Sequence, residues 1–182
     1  HVFNKKLFSN LSLVYNDYNF AFSGAQNDFV FQLKSGIRDL NAKYDVDYFI
    51  TPEHKLKFGA QYTYHTFLPN ILNANQGDTL FAPQNANKKY AHEYAVYIQD
   101  DWEISSKLKL NYGVRYSQFV QTGPYTSYTT DINGNRIDST IYGRGQRVKS
   151  YGGLEPRATL RYTIDESQSL KAAVTRNIQY IH

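Results

Sequence analysis

Apolar and polar residues alternate along several stretches of the chain, most regularly over residues 38–50. Every second position from Leu40 to Ile50 is apolar or aromatic, whereas the alternate positions from Asp39 to Asp47 are charged or polar. Successive side chains of a β-strand point to opposite faces. The alternation therefore predicts a strand with one apolar face and one face that meets water.

The same period-two pattern predicts further strands on both sides of this one. The stretch 56–65 follows a turn at Thr51–His54, in which Pro52 cannot donate a hydrogen bond to a strand ladder. Residues 38–50 and 56–65 should therefore form a hairpin. Further strands are predicted at 93–99, 108–117, 154–164 and 170–175, with a less regular one at 11–15.

The predicted connections alternate between short turns and longer segments rich in Asn, Gly, Thr and Pro. Outer-membrane barrels have short periplasmic turns and long extracellular loops, whereas a soluble sandwich has no reason to keep all its long loops at one end. The pattern predicts an all-β chain forming an antiparallel transmembrane β-barrel. The short turns are Thr51–His54, Glu103–Lys107 and Asp165–Gln168, and the longer connections are Ser23–Asp28, Leu68–Lys89 and Val120–Ser150.

Composition supports a membrane barrel without proving it. The chain is 41% hydrophobic but contains 17 Tyr and 11 Phe, and its mean hydropathy is -0.58. Tyrosine is favoured both in membrane-surface belts and on ligand-binding faces. No apolar run approaches the roughly 18 to 20 residues of a transmembrane helix, so strands would have to span the membrane. Several predicted strands begin or end in aromatics such as Tyr18, Tyr64, Trp102 and Tyr116.

Charge, cysteine content and the number of predicted strands limit the kinds of protein to which the chain can belong. The net charge of +4 has no Lys/Arg run, so we expect no nucleic-acid binding, and the absence of Cys excludes disulfides and thiolate metal sites. Seven or so strands fall short of the even number, from about 8 upward, found in bacterial single-chain barrels. We expect residues 1–182 to be part of a single outer-membrane β-barrel domain, without a plug domain or the remaining strands.

Three motifs resemble a known family. They are Tyr-Ala-Val-Tyr-Ile-Gln-Asp-Asp-Trp at 94–102, Leu-Lys-Leu-Asn-Tyr-Gly-Val-Arg-Tyr at 108–116 and Gly-Gly-Leu-Glu-Pro-Arg-Ala-Thr-Leu-Arg-Tyr at 152–162. Their order and spacing are similar to those in the barrel of a TonB-dependent outer-membrane receptor, and the segments 169–172 and 177–180 also fit that pattern.

The resemblance implies a barrel of 22 strands in the bacterial outer membrane, plugged by an N-terminal domain of the same polypeptide. It implies energised uptake of a scarce ligand, driven by the inner-membrane energy-coupling complex through the N-terminal part. Outer-membrane lipid, surface lipoproteins and other envelope-complex proteins are further expected partners. No cofactor and no enzymatic activity are expected.

Two sets of residues are candidate functional positions. One is the polar face of the predicted strands, which would line the barrel lumen and face the plug; the other lies in the long loops, which would contact a ligand or partner. The lumen and plug candidates are Glu93, Gln99, Lys109, Asn111, Arg115, Glu155, Arg157 and Arg161. The loop candidates are Tyr125, Tyr128, Tyr142 and Arg144.

Histidines and paired carboxylates are the residue types that could form a metal site or an acid/base pair. His65 should face the lumen and His92 the opposite side, and Asp100 and Asp101 should likewise point to opposite faces. We therefore expect no shared metal site, no acid/base pair and no catalytic residue. The glycine-bearing stretch Tyr142–Arg147 does not follow a strand and open a helix, so it does not predict a phosphate-binding loop.

Two alternatives to a transporter stay open at this point. One is a barrel with a structural or docking role as a subunit of a larger envelope assembly. The other is a soluble β binding module that uses a tyrosine-rich face for a glycan or peptide. The number of apolar strand faces counts against the soluble module, because a soluble monomer rarely exposes so much contiguous apolar area.

Overall fold

The chain forms one long antiparallel sheet and a separate two-stranded hairpin. The computed structural model describes residues 1–27, 29–76, 79–81 and 87–180, and no helix within these ranges could cross a membrane. The strands are β1 (Val2–Asn4), β2 (Leu7–Gln26), β3 (Phe29–Phe49), β4 (His54–Gln76), β5 (Thr79–Phe81), β6 (Lys89–Glu103), β7 (Leu108–Thr122), β8 (Tyr125–Thr130), β9 (Arg136–Tyr142), β10 (Arg147–Thr163) and β11 (Ser169–Thr175).

Strands of the large sheet follow one another in chain order. The sheet runs β1-β2-β3-β4-β6-β7-β10-β11, β5 pairs with β4 beyond this path, and β8 pairs with β9. All of these pairs are antiparallel. The predicted all-β antiparallel fold is confirmed, and each strand predicted by alternation corresponds to a strand of the large sheet. Within the described residues the sheet is open, since β1 and β11 are its edges.

The predicted short turns all lie at one rim of the sheet, called here the short-turn rim. Between β3 and β4 the amide of Ile50 donates to the carbonyl of His54 at 3.1 Å, and between β6 and β7 the amide of Leu108 donates to the carbonyl of Ser105 at 3.2 Å. Between β10 and β11 the carboxylate of Asp165 accepts hydrogen bonds from Ser167, which lower the pKa of Asp165. Local hydrogen bonds therefore close each turn.

At the opposite rim, the prediction of a longer connection at Ser23–Asp28 is wrong. Strands β2 and β3 remain paired as far as Gln26 and Phe29. Phe22 and Phe31 contribute to this pairing, with ring centroids 5.6 Å apart. The residues around Ser23 are polar and were therefore predicted to form a loop, although the strand continues through them. A strand that extends above a bilayer does not need an apolar face.

The other two long connections contain strands of their own. Within Leu68–Lys89, β4 continues to Gln76 and β5 pairs back onto it; residues 77–78 and 82–86 of that connection lie outside the described residues. Within Val120–Ser150, β8 and β9 form the separate hairpin. A transmembrane strand needs only about 9 to 11 residues, so β2, β3 and β4, with 20, 21 and 23 residues, are long enough to extend well beyond a bilayer.

The sheet has one apolar and one polar face. On the apolar face, large side chains stand open to the surroundings, with Leu40 55%, Val96 56% and Leu154 56% exposed. On the polar face, Asp45 and Glu155 are buried among other polar groups at 7% and 6% exposure. Exposed apolar area on this scale marks a surface that is covered in the working protein, so the sheet is inside out relative to a soluble core.

Aromatic side chains lie near both ends of the apolar face. Trp102 stacks on His54 close to the short-turn rim, with ring centroids 5.2 Å apart. Toward the other rim, His92 stacks on Tyr62 and contacts Tyr64, at 6.0 and 5.1 Å. His92 and Trp102 are roughly ten residues apart on β6, or about 34 Å along the strand. With a tilt near 40° this gives a height of about 26 Å, close to the apolar band of outer-membrane barrels.

Candidate lumen wall and long-loop surface

The candidate lumen residues share one face of the sheet, the polar face. The strand register sets Tyr97 opposite Arg115 and Arg115 opposite Glu155, which places all three side chains on that face. Every member of the predicted set falls on the same side by the same register. The set is Glu93 and Gln99 on β6, Lys109, Asn111 and Arg115 on β7, and Glu155, Arg157 and Arg161 on β10.

Arg115 is the centre of a charge network on the polar face. Its Nη2 lies 3.4 Å from Oε1 of Glu93, and its Nε lies 3.7 Å from Oε1 of Glu155. The hydroxyl of Ser117 also donates to the Glu155 carboxylate. These residues come from β6, β7 and β10, so the network ties three neighbouring strands together. A carboxylate as buried as that of Glu155 needs such partners, because an uncompensated buried charge is costly.

His65 extends the same network to β4 and β3. Its Nδ1 lies 2.8 Å from Oδ1 of Asp39, and its Nε2 lies 3.7 Å from Oε2 of Glu93. The sequence predicted that His65 lies on the polar face, and the register confirms this, since His65 pairs with Ala91 while His92 pairs with Tyr64 on the apolar face. The chain of contacts from Asp39 to Glu155 therefore crosses five consecutive strands of the sheet.

A second charge cluster on the polar face was missed as a functional candidate. Asp45 binds Lys43 at 3.0 Å and lies 3.9 Å from Nζ of Lys57, and it also accepts a hydrogen bond from the phenol of Tyr97. The members of this cluster occupy the same face on neighbouring strands. The alternation predicts that face, but which residues are neighbours across the strands depends on the register.

The segment after β11 crosses the polar face instead of continuing as a strand. Strand β11 ends at Thr175, and the Tyr180 phenol lies 3.0 Å from the main-chain oxygen of Ser117 and 2.8 Å from its Oγ. The ring of Tyr180 stacks on Phe119, with centroids 5.6 Å apart. Residues 177–180, whose sequence fits the motif order described above, therefore lie outside the sheet. We call residues 176–180 the strap.

Gly153 on β10 gives the strap room to pass. A Cβ atom at Gly153 would lie 2.7 Å from Cδ1 of Ile178, which is closer than real Cβ contacts allow. The amide of Arg176 donates to the carbonyl of Pro156 at 3.0 Å, at the point where the strap leaves the ladder. The strap thus covers the polar face above the buried Ser117 and Glu155.

The candidate carboxylate pair is split between faces. Asp100, opposite Leu56 and Tyr112 on the apolar face, pairs with His54 at 2.7 Å between Oδ2 and Nδ1. Asp101, on the polar face, accepts a hydrogen bond from Asn111. Across the ranges that the structure describes, no three His, Asp or Glu side chains form a group suited to a metal ion.

The candidate loop residues lie at the long-loop rim around the β8–β9 hairpin. Tyr125 pairs with Tyr142 at the base of the hairpin, and the guanidinium of Arg136 lies 4.0 Å from the ring centroid of Tyr128. Arg144 forms a bridge with Gly123 beside that base. Three of the four candidates meet in one cleft of about 360 Å³. Its lining includes Tyr125, Tyr128, Tyr142, Lys88 and Lys89.

The two lysines of this cleft had not been predicted from the sequence. Lys88 precedes β6 and Lys89 is its first residue. The Val120–Ser150 connection folds back, which brings the β8–β9 hairpin over both lysines. No acidic side chain is among the described residues that line the cleft. The tyrosine candidates could be found from loop composition, whereas the lysines required the three-dimensional path of the loop.

Comparison with protein families gives one match. The sequence model described as "TonB dependent receptor-like, beta-barrel" matches residues 3–179. Comparisons with curated proteins and with solved structures each returned no match. The matched range includes every strand from β2 to β11, the strap as far as Gln179, and both sets of candidate residues.

Proposed function

The chain belongs to the TonB-dependent receptor β-barrel family, and we propose on that basis that it is part of the wall of an energised transporter in the bacterial outer membrane. The single observation that best supports this is the inside-out sheet, with exposed Leu40, Val96 and Leu154 on one face and the Arg115 network on the other. In a barrel the first face meets lipid and the second lines the lumen.

The polar face would hold the plug domain of the same polypeptide. Its side chains are already ordered by cross-strand ion pairs, such as Arg115 with Glu93 and Lys55 with Asp47. A wall whose charges are held in place offers hydrogen-bond donors and acceptors at low entropic cost to a docked domain. Lys109, Asn111, Gln99 and Arg157 are further candidates for contact with the plug.

Ligand capture would take place at the long-loop rim. Strands β2, β3 and β4 extend beyond the height of a bilayer, and the β8–β9 hairpin stands beside a cleft lined by Tyr125, Tyr128 and Tyr142. A cleft of about 360 Å³ falls within the size range of small-molecule sites. The energy for import would come from the inner-membrane coupling complex acting through the plug, as the family implies. Binding and import, rather than catalysis, are the proposed activity.

Transport is tested by following the medium of bacteria that carry or lack the whole receptor. Mass spectrometry of the medium, with and without an intact inner-membrane energy-coupling complex, measures which compounds disappear. We expect at least one compound to be depleted only when both the receptor and the coupling complex are present. Equal depletion by cells without the receptor, or depletion that does not require the coupling complex, would contradict energised transport.

A second candidate function is docking of a surface lipoprotein or envelope protein. The observation that favours it is the apolar surface of the β8–β9 hairpin, where Ile132, Ile137 and Ile141 are all exposed. Exposed aliphatic side chains on a projecting hairpin are typical of a protein contact. Stoichiometric co-purification of a partner that is lost in the triple Ile→Ser variant would support docking; a receptor that purifies alone would contradict it.

A further inference from the structure

The lipid-facing side of strands β2 and β3 is apolar over only part of their length. Leu11, Leu13 and Tyr15 stand exposed on this side. The next position on β2 is Asp17, which forms an ion pair with Arg38 on β3 at 2.9 Å. Toward the long-loop rim, the same side continues with Asn19, Ala21, Ser23 and Ala25 on β2 and with Gly36, Lys34, Gln32 and Val30 on β3. The apolar band therefore ends at the Asp17–Arg38 pair.

The lumen-facing side of the same two strands changes in the opposite direction. Level with the apolar band it carries polar groups such as Asn10, Asn41 and Asp45. Beyond the Asp17–Arg38 pair it becomes apolar and mainly aromatic, and the residues that the structure describes on this stretch carry no charge. Its large side chains are Tyr18, Phe20 and Phe22 on β2 and Phe29, Phe31, Leu33 and Ile37 on β3. We call these seven residues the aromatic patch.

Rings of the aromatic patch pack against each other and still leave much of their surface open. The ring centroid of Phe31 lies 5.6 Å from that of Phe22 and 6.1 Å from that of Phe29. A Cβ atom at Gly24 would lie 2.5 Å from Cε1 of Phe31, so the ring of Phe31 lies over this glycine. Phe20 and Phe22 nevertheless remain 47% and 54% exposed. Contiguous apolar surface of this kind marks a binding site, and lipid does not reach this side of the strands.

The aromatic patch continues without a break into the cleft of about 360 Å³ at the long-loop rim. Ile37 pairs in register with Tyr18 on β2 and with Phe67 on β4, and Phe67 pairs with Lys89 on β6. Lys89 and Lys88 both line the cleft. Neighbouring strands are about 4.8 Å apart, so Tyr18 and Lys89 are separated by about 14 Å. One surface therefore joins an uncharged aromatic end to a basic end.

We infer that this surface binds an amphipathic organic anion, whose apolar or ring-bearing body lies on the aromatic patch and whose acidic group lies at Lys88 and Lys89. The inference rests on the proposed function and names the class of ligand that the long-loop rim would capture. Aromatic side chains bind apolar and flat surfaces, and a few charged groups at the edge of an apolar site fix the orientation of a ligand. The two ammonium groups favour an anion over a cation.

Photocoupling of the whole receptor in outer membranes with 4-benzoylbenzoate tests the inference, because this probe combines two rings with one carboxylate. The neutral 4-benzoylbenzamide has the same body without the charge. Peptide mass spectrometry maps the coupled residues, and we expect the carboxylate to label residues 18–37 several-fold more than the amide does. Equal labelling by the two probes would overturn the inference. So would the absence of labelling at residues 18–37, which is the result expected if another segment of the receptor covers the patch.

A lysine variant tests the basic end of the surface. Lys89→Gln should reduce labelling by 4-benzoylbenzoate several-fold and leave labelling by the amide unchanged, because only the anion interacts with the ammonium group. Lys34→Gln is the matched control, since Lys34 is exposed on the opposite side of the sheet near the same rim, and it should change neither. Equal effects of the two substitutions, or a loss of amide labelling in Lys89→Gln, would contradict an anion site at Lys89.

A pair of adjacent residues on β3 tests the aromatic end. Phe31→Ser should reduce labelling by both probes several-fold, because it removes the ring that contacts Phe22 and Phe29. Val30→Ser, on the opposite side of the strand, is the matched control and should change neither. Heat-modifiable gel mobility verifies that each variant is folded. Undiminished labelling in a folded Phe31→Ser receptor would overturn the role of the patch.

Depletion of the medium separates failure of this inference from failure of the proposed function. Energised depletion by a receptor that neither probe labels at residues 18–37 would leave transport standing and refute the class of ligand. Labelling that depends on Phe31 and Lys89, in a receptor that depletes no compound, would support the binding surface and contradict energised transport.

Discussion

The phenol of Tyr180 reaches the main-chain oxygen of Ser117 at 3.0 Å, across the polar face of the intervening strand β10. If the chain had continued in the β10–β11 register beyond the Arg157–Thr175 pair, Tyr180 would instead lie opposite Gly152 at the sheet edge. The contact with Ser117 and the stacking on Phe119 show that the chain turns inward. The strap is therefore part of the wall that a plug would meet.

Paired cysteines distinguish the strap from a continued strand. Oxidation of a Gly153→Cys, Ile178→Cys receptor in membranes should give a disulfide, because a Cβ at Gly153 would lie 2.7 Å from Cδ1 of Ile178. A Leu154→Cys, Ile178→Cys receptor is the matched comparison and should remain reduced, because Ile178 would lie opposite Leu154 only in a continued strand. Gel mobility with and without reductant measures both. A disulfide in the second variant but not in the first would show that β11 continues to Tyr180.

A side chain at Gly153 should displace the strap. Gly153→Val places a Cβ where Ile178 now lies, 2.7 Å from its Cδ1. The thiol of a Ser117→Cys variant, at a position that is fully buried while the strap is in place, should react with a maleimide several-fold faster in this background, since overpacking moves the neighbouring segment. Leu154→Val, on the apolar face, is the control and should not change the rate. An equal rate in the Gly153→Val background would show that the strap does not depend on this close approach.

Loss of Arg115 should destabilise the wall. Arg115→Ala leaves the buried Glu155 without its cation, and we expect the free energy of unfolding to fall by about 2 kcal/mol. Replacing Glu155 by Gln in the same chain should recover part of that loss, because the neutral amide no longer needs a cation. Urea titration followed by heat-modifiable mobility measures the difference. Equal stability of Arg115→Ala and the parent receptor would contradict a stabilising network.

Ile98 and Gln99 are adjacent on β6 but face opposite sides of the sheet, which allows a test of the lipid-facing assignment. Ile98→Arg should cost about 2 to 4 kcal/mol of folding free energy in a bilayer, as for a cation at the lipid face of a barrel. Gln99→Arg places the same charge on the polar face opposite Lys57 and should cost no more than about 1 kcal/mol. Denaturant titrations in vesicles compare the two, and equal costs would contradict the assignment of faces.

The faces of the strands could be predicted from sequence because a period of two is a local property. The apolar side chain of Leu40 and the charged side chain of Asp39 indicate which face of the sheet each one occupies. The short turns indicate that consecutive strands are antiparallel. The same reasoning placed Glu93, Arg115 and Glu155 on one face before their contacts were known. The motifs at 94–102, 108–116 and 152–162 indicate to which family the barrel belongs, which the alternation alone does not indicate.

Features that depend on distant parts of the chain were less predictable. The β2–β3 ladder beyond Ser23 lacks a regular apolar face, so composition indicated a loop where cross-strand pairing continues. The sequence of Asn177 to Tyr180 does not indicate where the chain goes after β11, and only the contact with Ser117 reveals the course of the strap. Lys88 and Lys89 likewise join the tyrosine cleft through the fold of a distant hairpin. In each case the structure depends on contacts between distant parts of the chain and not on local sequence preference.

The central claim, that this sheet is the wall of an outer-membrane barrel, is tested most directly by gel mobility of the whole receptor after cell fractionation. We predict that the receptor is found with outer membranes, requires detergent for extraction, and migrates faster unboiled than boiled, because a closed barrel resists unfolding by detergent until it is heated. A receptor that is recovered without detergent and shows the same mobility before and after boiling would contradict the account.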